Sequence, residues 1–396
     1  MKVLLLGVGL QGKAALYDMV QNKEFNEIIV ADYDIKSLGQ YLKNKNYKNV
    51  TSYFFDVNSQ ENINELFNLE PDIVIDLLPV HFIDKIASTA VKFGVNLVNT
   101  CYASNFIKGL NKEVERKEMT ILPEFGFDPG IDLVILGEAR KNLDKIEVIH
   151  SYGSGIPELS ARDNPLNYKF TWTFEGVLRS YFRAGKLIKE GKIQEIKENE
   201  MFDPKNIHSV EIEGVGDLEA FPNGDALKYL ELIGINNGSK EYNTLQSVAR
   251  FTMRWPGHSE FWKKLVDLHL LDDEPIEING MEINRRKFLA KIIEPHIQLQ
   301  PNERDLAILL IELIGYRNGE KRRVTYQMVD KRDLETGFTA MNRTVGYTAS
   351  IGAHLLANKI VVKKGVLSPV MDIPFEIFNN ELAKRGIIIT KKEEKM

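Results

Sequence analysis

Cysteine is almost absent: one in 396 residues, Cys101, which excludes an intrachain disulfide framework and a cysteine-rich metal site. Such a chain suits a reducing compartment, and the cytoplasm is the expected location. The seven histidines are scattered, with no pair at metal-ligand spacing, and no GxSxG string occurs, so neither a resident metal nor a serine nucleophile is expected. No stretch reaches the roughly 18 uncharged apolar residues that a membrane helix needs. Positive charge is not in excess either: the formal net charge is −5, with acids and bases interspersed. No basic face for nucleic acid or a membrane surface is therefore expected, which leaves a small molecule as the partner. Met1 runs directly into an apolar strand without a basic region and apolar core before it, so Met1 is expected to be the mature start. Internal repeats and low-complexity segments are lacking.

What is present is enough apolar residue, 43% against 27% charged, to fill more than one core in a chain of this length. The first 125 residues alternate six short apolar runs, at 3–6, 27–31, 51–55, 72–78, 95–99 and 119–122, with stretches of helical spacing. That alternation predicts an α/β fold, a doubly wound parallel Rossmann sheet over residues 1–125. After Pro123 the texture changes to longer loops and more aromatics. Alternating stretches at 145–150 and 209–212, and the run 306–313, predict strands, with helices over 174–189 and 260–271. Residues 126–337 thus read as a second, α+β domain for substrate binding and dimerisation. The small-residue helical run 340–356 suits close packing, and residues 338–396 are expected to return to the first domain. Residues 391–396 are charged without apolar anchors and read as a frayed tail.

The string Gly7-Val8-Gly9-Leu10-Gln11-Gly12 follows the first strand and opens a helix, the context that turns a weak glycine pattern into a dinucleotide fingerprint. Gly7 would make the tight turn, Gly9 would let backbone approach the pyrophosphate, and Gly12 would let the helix pack closely on the sheet. Asp32 closes the second strand 20 residues later. Its carboxylate would accept from a ribose 2′-hydroxyl and repel a 2′-phosphate, so NAD is expected in preference to NADP. Asp34 is the competing acid. Asp56-Val57 follows the third strand, where a side chain can reach the adenine edge or, equally, Asp56 or Asn58 can cap a helix. Leu78-Pro79 ends the fourth strand on the ligand-binding edge and is expected to line the cofactor cleft.

Beyond the cofactor residues, the fifth strand runs into Asn99-Thr100-Cys101-Tyr102, and the sixth is followed by Asp128-Pro129-Gly130-Ile131-Asp132. Both emerge on the same carboxyl edge, so Tyr102 and Asp128 would face the nicotinamide as the catalytic pair. Oxidising an amine requires a carbon held over the ring, a proton relay for nitrogen and charged anchors for the substrate's ends. Against this, Tyr102 reads equally as a half-buried tyrosine under a loop and Asp128 as a cap for a helix started by Pro129. Lys169, in DNPLNYKFTW (163–172), and Arg254, in TMRWPGHSEF (252–261), are candidate carboxylate anchors; an arginine between aromatics also serves as a stacking partner. His258 reads as a loop or interface residue.

Together these strings, with EFGFDPGID (124–132), FPNGDALKY (221–229), MNRTVGYTASIGAHLL (341–356) and KGVLSP (364–369), resemble the saccharopine dehydrogenase family almost end to end. The resemblance is to its glutamate-forming saccharopine reductases and to the related lysine 6-dehydrogenases. It implies hydride transfer at the ε C–N carbon of a lysine-type amino acid through an imine. It also implies that Thr100, Cys101 and Tyr102 line the junction of nicotinamide and substrate, that Asp128 contacts the substrate amine, and that Arg254 binds a carboxylate. Two positions depart from the reductase pattern: Gly224 stands where an arginine is expected, and Gly153-Ser154 where a cysteine is. Saccharopine is the first expected substrate and lysine the alternative. A catalytically silent NAD-binding interaction protein is the reading from another class, and the long apolar middle domain points to a homodimer.

Overall fold

The computed structural model describes residues 1–170 and 173–396, and the chain forms two compact units, 1–137 with 342–386, and 138–341 with 387–396. Thr171 and Trp172, which end the DNPLNYKFTW string, lie outside the described residues. The division departs from the sequence boundaries at three places, the smallest being residues 338–341, which count with the second unit. The helix Ile131–Arg140 counts mostly with the first unit, and the last ten residues count with the second.

In the first unit, β1 (Lys2–Leu6), β2 (Glu27–Asp32), β3 (Val50–Phe54), β4 (Ile73–Asp76), β5 (Asn96–Asn99) and β6 (Thr120–Leu122) occupy the six apolar runs. They join the two-residue strand Gly365–Val366 in one parallel sheet, ordered 365–366, β6, β5, β4, β1, β2, β3. Residues 3–6 and 73–76 are buried throughout, which is why they read as unbroken apolar runs rather than an alternation. Chain order reverses between β1 and β4, and the crevice at the carboxyl edge of such a reversal is where open α/β sheets bind ligands. The helix Ala340–Ala357 packs here with glycines at its contacts. A Cβ on Gly346 would stand 2.5 Å from the Gln11 carbonyl oxygen, and one on Gly352 2.7 Å from the Phe125 ring. Beyond the helix Phe375–Lys384, buried Arg385 forks onto Asp18 at 2.6 and 2.9 Å and onto Glu381 at 2.8 Å, tying the returning segment to the first helix.

The second unit is built on a mixed sheet. Its strands are β7 (Lys145–Pro157), β8 (Gly185–Lys189), β9 (Lys192–Ile196), β10 (His208–Ile212), β11 (Gly216–Pro222) and β12 (Ser247–Arg254). After a small hairpin, β13 (Ile276–Ile278) and β14 (Met281–Ile283), come β15 (Asp305–Arg317) and β16 (Glu320–Lys331). The order is β10, β11, β12, β7, β15, β16 and the terminal strand Ile389–Lys395, with β8 and β9 attached through β12. Alternation along β12 sends Met253 into one apolar cluster, with Tyr152, Trp255 and Ile308, while its neighbour Arg254 turns to the other face.

Three elements differ from the sequence reading. The helix expected over 174–189 stops at Ser180, and Gly185–Lys189 is instead a strand, closed onto β9 by a turn in which Glu190 and Gly191 both have positive φ. Its Lys186 N–H donates to the Gly224 carbonyl, so long-range pairing overrides the local helical spacing. The next helix is His258–Asp267 rather than 260–271, ended at Leu268 with His269 left-handed. The terminal residues are not frayed. Ile389–Lys395 pairs antiparallel with β16 from Arg322↔Lys395 to Met328↔Ile389, and the pairs Arg322–Glu393 and Lys395–Glu320 flank the ladder at 2.7 and 2.6 Å. Backbone hydrogen bonds and alternating charge do there what apolar anchors do elsewhere.

Candidate active site

Gly7 leaves β1 at φ +84, and a Cβ there would stand 3.0 Å from the Leu77 carbonyl oxygen and 3.3 Å from the Leu78 side chain. Gly12 is closer still: its Cβ would fall 2.1 Å from the Gly7 oxygen. Gly9 is the opposite case, with nothing within 4 Å of the position its Cβ would take. The helix Leu10–Met19 starts from Gly9 without a capping side chain and without an acid in its first turn. Its first N–H groups, those of Leu10 and Gln11 included, are thus left for an external anion, and the cradle fits a dinucleotide pyrophosphate.

Around this cradle the other cofactor candidates divide. Asp32 is committed to main chain, accepting from the Val8 N–H at 2.7 Å and from the Asp34 N–H at 2.8 Å. Asp34, the competing acid, caps the helix Ile35–Lys43 through Ser37. Asp56 neither caps a helix nor stands open: Oδ1 accepts from the Asn58 N–H at 2.9 Å in a turn, and Ser59 is the cap. Val57 and Leu78 pack against the apolar cluster of the unit, and Pro79 is exposed. The sequence reading passed over Tyr33 and Phe54. Tyr33 follows β2 and Phe54 ends β3, with 71% and 49% of their surface exposed and with ring centroids 5.6 Å apart, an aromatic platform beside Asp32. Exposed aromatics at two strand ends were the available signal.

Tyr102 and Asp128, the expected catalytic pair, are brought together. β5 and β6 are parallel neighbours, so the loops leaving them share one edge, and they are laced by Phe125 N–H to the Asn99 oxygen and Glu124 N–H to the Cys101 oxygen. EFGFDPGID then folds on itself. Gly126 N–H donates to the Pro129 oxygen, Asp132 Oδ1 accepts from the Gly130 N–H at 2.7 Å, and the Asp128–Pro129 peptide is cis. Half-buried Asp128 is left pointing at Tyr102, whose hydroxyl donates to Oδ1 at 3.3 Å. The helix starts only at Ile131, so Asp128 is not its cap. Behind the pair, Asp76 is fully buried, accepting from the Leu78 N–H and from Asn99, and burial raises its pKa to about 6. Burial and the Asp76 charge push Cys101 up to about 11, so it meets its surroundings as a neutral thiol beside Thr100.

In the second unit the two anchors part company. Lys169 is 3% exposed at its side chain and is neutralised by Glu303 at 2.6 Å and Asp163 at 2.9 Å. It is a structural tie, and its charge has no surplus for a substrate carboxylate. Arg254 is 6% exposed, lies against the rings of Tyr168 and Tyr181 at 5.0 and 5.8 Å, and has no carboxylate in ion-pair contact among the described residues. A guanidinium buried without a counter-charge is costly, and an anionic ligand relieves that cost. His258 is not at a surface; it is buried as the first residue of its helix, hydrogen-bonded to the Tyr181 hydroxyl at 2.8 Å. Gly224, at φ +65, has the Arg183 guanidinium 3.4 Å from where its Cβ would be.

A phosphate-cradling parallel sheet with an acid–tyrosine pair on its binding edge marks a nicotinamide-dependent oxidoreductase. Family models make the class particular: the saccharopine dehydrogenase NADP binding domain matches residues 3–122, and the saccharopine dehydrogenase C-terminal domain matches residues 126–387. The chain belongs to the saccharopine dehydrogenase family, oxidoreductases acting on a CH–NH group. It is 24% identical to "Saccharopine dehydrogenase [NADP(+), L-glutamate-forming]" of Saccharomyces cerevisiae, over 98% of both chains. It is also 24% identical to the mitochondrial alpha-aminoadipic semialdehyde synthase of Bos taurus, of which it spans 47%. The solved apo saccharopine dehydrogenase (L-Glu forming) from Saccharomyces cerevisiae shares the fold, with a TM-score of 0.86 at 23% identity over 99% of each chain. Among the described residues no helix is long and apolar enough to cross a membrane.

These matches correct the expected cofactor. The NADP binding domain and the NADP(+)-dependent relative point to NADP, not NAD. In the structure the Asp32 carboxylate accepts from the Val8 and Asp34 N–H groups, one on each oxygen, so it helps to build the glycine turn, and its position at the end of β2 does not by itself decide between the two dinucleotides.

Proposed function

We propose that this protein is an NADP-dependent saccharopine reductase, transferring hydride at the ε C–N carbon of saccharopine in the glutamate-forming sense. What supports the reading most is the end-to-end match to a relative bearing that name, together with the pairing of Tyr102 and Asp128 on the cofactor edge. NADP, when bound, exchanges the hydride. The glycine turn and the first helix hold its pyrophosphate, and the Tyr33–Phe54 platform takes the adenine. Asp128 accepts from the substrate nitrogen, and Tyr102 keeps that carboxylate oriented and passes protons to solvent. Cys101 and Thr100 contribute shape and polarity rather than nucleophilicity. Arg254 binds a substrate carboxylate through a charge-assisted fork. A homodimer is supported by exposed Ile276, Ile278, Met281 and Phe288, clustered on the β13–β14 hairpin and the helix that follows.

Nicotinamide absorbance followed with purified protein, offering saccharopine and lysine separately with each dinucleotide, tests this directly. Saccharopine with NADP is expected to turn over fastest. Turnover of lysine but not saccharopine would make the protein a lysine 6-dehydrogenase, and binding of NADP without turnover of either would leave a non-catalytic module.

A further inference from the structure

Arg254 is held by a hydrogen-bond chain with only one possible direction. Its Nε–H can only donate, and it donates to the Tyr181 hydroxyl oxygen at 3.1 Å. The hydroxyl's one proton must then go to the next partner, His258 Nε2, 2.8 Å away. That nitrogen accepts only in the neutral ring. Burial, and then the Arg254 charge, hold His258 well below its ordinary pKa, while the Leu166 backbone engages the ring. Burial also raises Tyr181, so the hydroxyl keeps its proton. On the other side Nη1 donates to the Met253 oxygen at 2.8 Å. The guanidinium plane is thereby fixed at two of its three nitrogens and lies against two tyrosine rings, with the Tyr168 hydroxyl as a further neutral neighbour and no carboxylate in ion-pair contact among the described residues.

We propose that Tyr181 and His258 are positioning residues for carboxylate recognition, a neutral relay that locks the Arg254 guanidinium in place for the substrate. The proposal rests on Arg254 being a carboxylate anchor, and it goes beyond that reading by giving two residues that touch no substrate a share in affinity. A locked fork loses less freedom on binding than a mobile one, so the benefit falls on substrate affinity rather than on the chemical step. A neutral acceptor suits the place. A carboxylate there would pair with Arg254 and cancel its attraction for substrate, and a charged imidazolium would repel it.

The test uses the full chain with saccharopine and NADP, comparing R254K, Y181F, H258L and H258Q, with circular dichroism and thermal melts run alongside. Y181F and H258L are expected to raise KM for saccharopine roughly 10- to 100-fold, the factor carried by a hydrogen bond to a charged group, with kcat and KM for NADP near wild type. H258Q, whose amide oxygen can accept the Tyr181 proton, is expected to recover most of the affinity lost in H258L. A role confined to packing predicts something else: lower melting temperatures with KM for saccharopine unmoved, and that result overturns the proposal. If R254K leaves KM for saccharopine unchanged, the anchor reading falls and takes the relay with it. If R254K raises KM while Y181F does not, only the relay is refuted.

Discussion

Asp76 shows how burial at a single residue turns into a measurable property. Its carboxyl is fully buried at the end of β4, with a pKa raised from 3.8 to about 6, chiefly by desolvation. The folded state therefore binds this proton more tightly than the unfolded chain. The stabilisation is complete below about pH 4 and is lost as pH climbs through 6. In D76N the linkage is gone, so the melting temperature of wild type should fall relative to that of the variant as pH rises from 4.5 to 7. A difference between the two that stays constant would show that Asp76 titrates normally. At Asp128 the expectation is kinetic. Tyr102 and solvent remain available as proton carriers, so D128N should lower kcat by about a hundredfold or less, the low end for acid–base groups, with an unchanged melting temperature. That Tyr102 and Asp128 would meet was legible because both follow parallel strands that deliver to one edge. Asp32 misled because spacing shows where a carboxylate lies, and that position does not by itself decide between the two dinucleotides.

Elements were readable wherever local pattern and long-range packing agree. The six parallel strands announce themselves because burial on both faces demands unbroken apolar runs, and the helix Ala340–Ala357 because small residues mark a close approach. That approach carries its own prediction. An added methyl at Gly346 would meet the Gln11 carbonyl at 2.5 Å, and backbone on both sides leaves little room to yield. G346A should destabilise by about 1–3 kcal/mol, visible as a lower urea midpoint with an unaltered slope. Had the helices room to part, the midpoint would not move. Residues 174–189 failed as a single helix for the complementary reason: the partners of Gly185–Lys189 are β9, β12 and the Gly224 backbone, and no local window contains the last two.

At the scale of the whole molecule the terminal strand is the sharpest contrast. Read locally, residues 391–396 have nothing to hold them; in the sheet they cover the exposed edge of β16 through a seven-residue ladder. Ending the chain at residue 388 should lower the melting temperature by several degrees and promote association through the uncovered edge, measured by light scattering. A frayed tail would be lost without either effect.

Taken alone, the sequence determined the parallel dinucleotide-binding sheet, the place of the glycine cradle, and a family kinship strong enough to name the chemistry. Those are properties of short, contiguous strings whose physics is local: glycine where backbone must crowd, and apolar runs where both faces are covered. Only tertiary structure decided which charges are available. Lys169 is paired with Glu303 and Asp163, Asp32 accepts from two backbone amides, and Arg254 has no carboxylate in ion-pair contact among the described residues. Glu303 lies 134 residues from Lys169, and Tyr181 lies 73 from Arg254. Separations of that size are closed by folding, and no spacing rule along the chain encodes them.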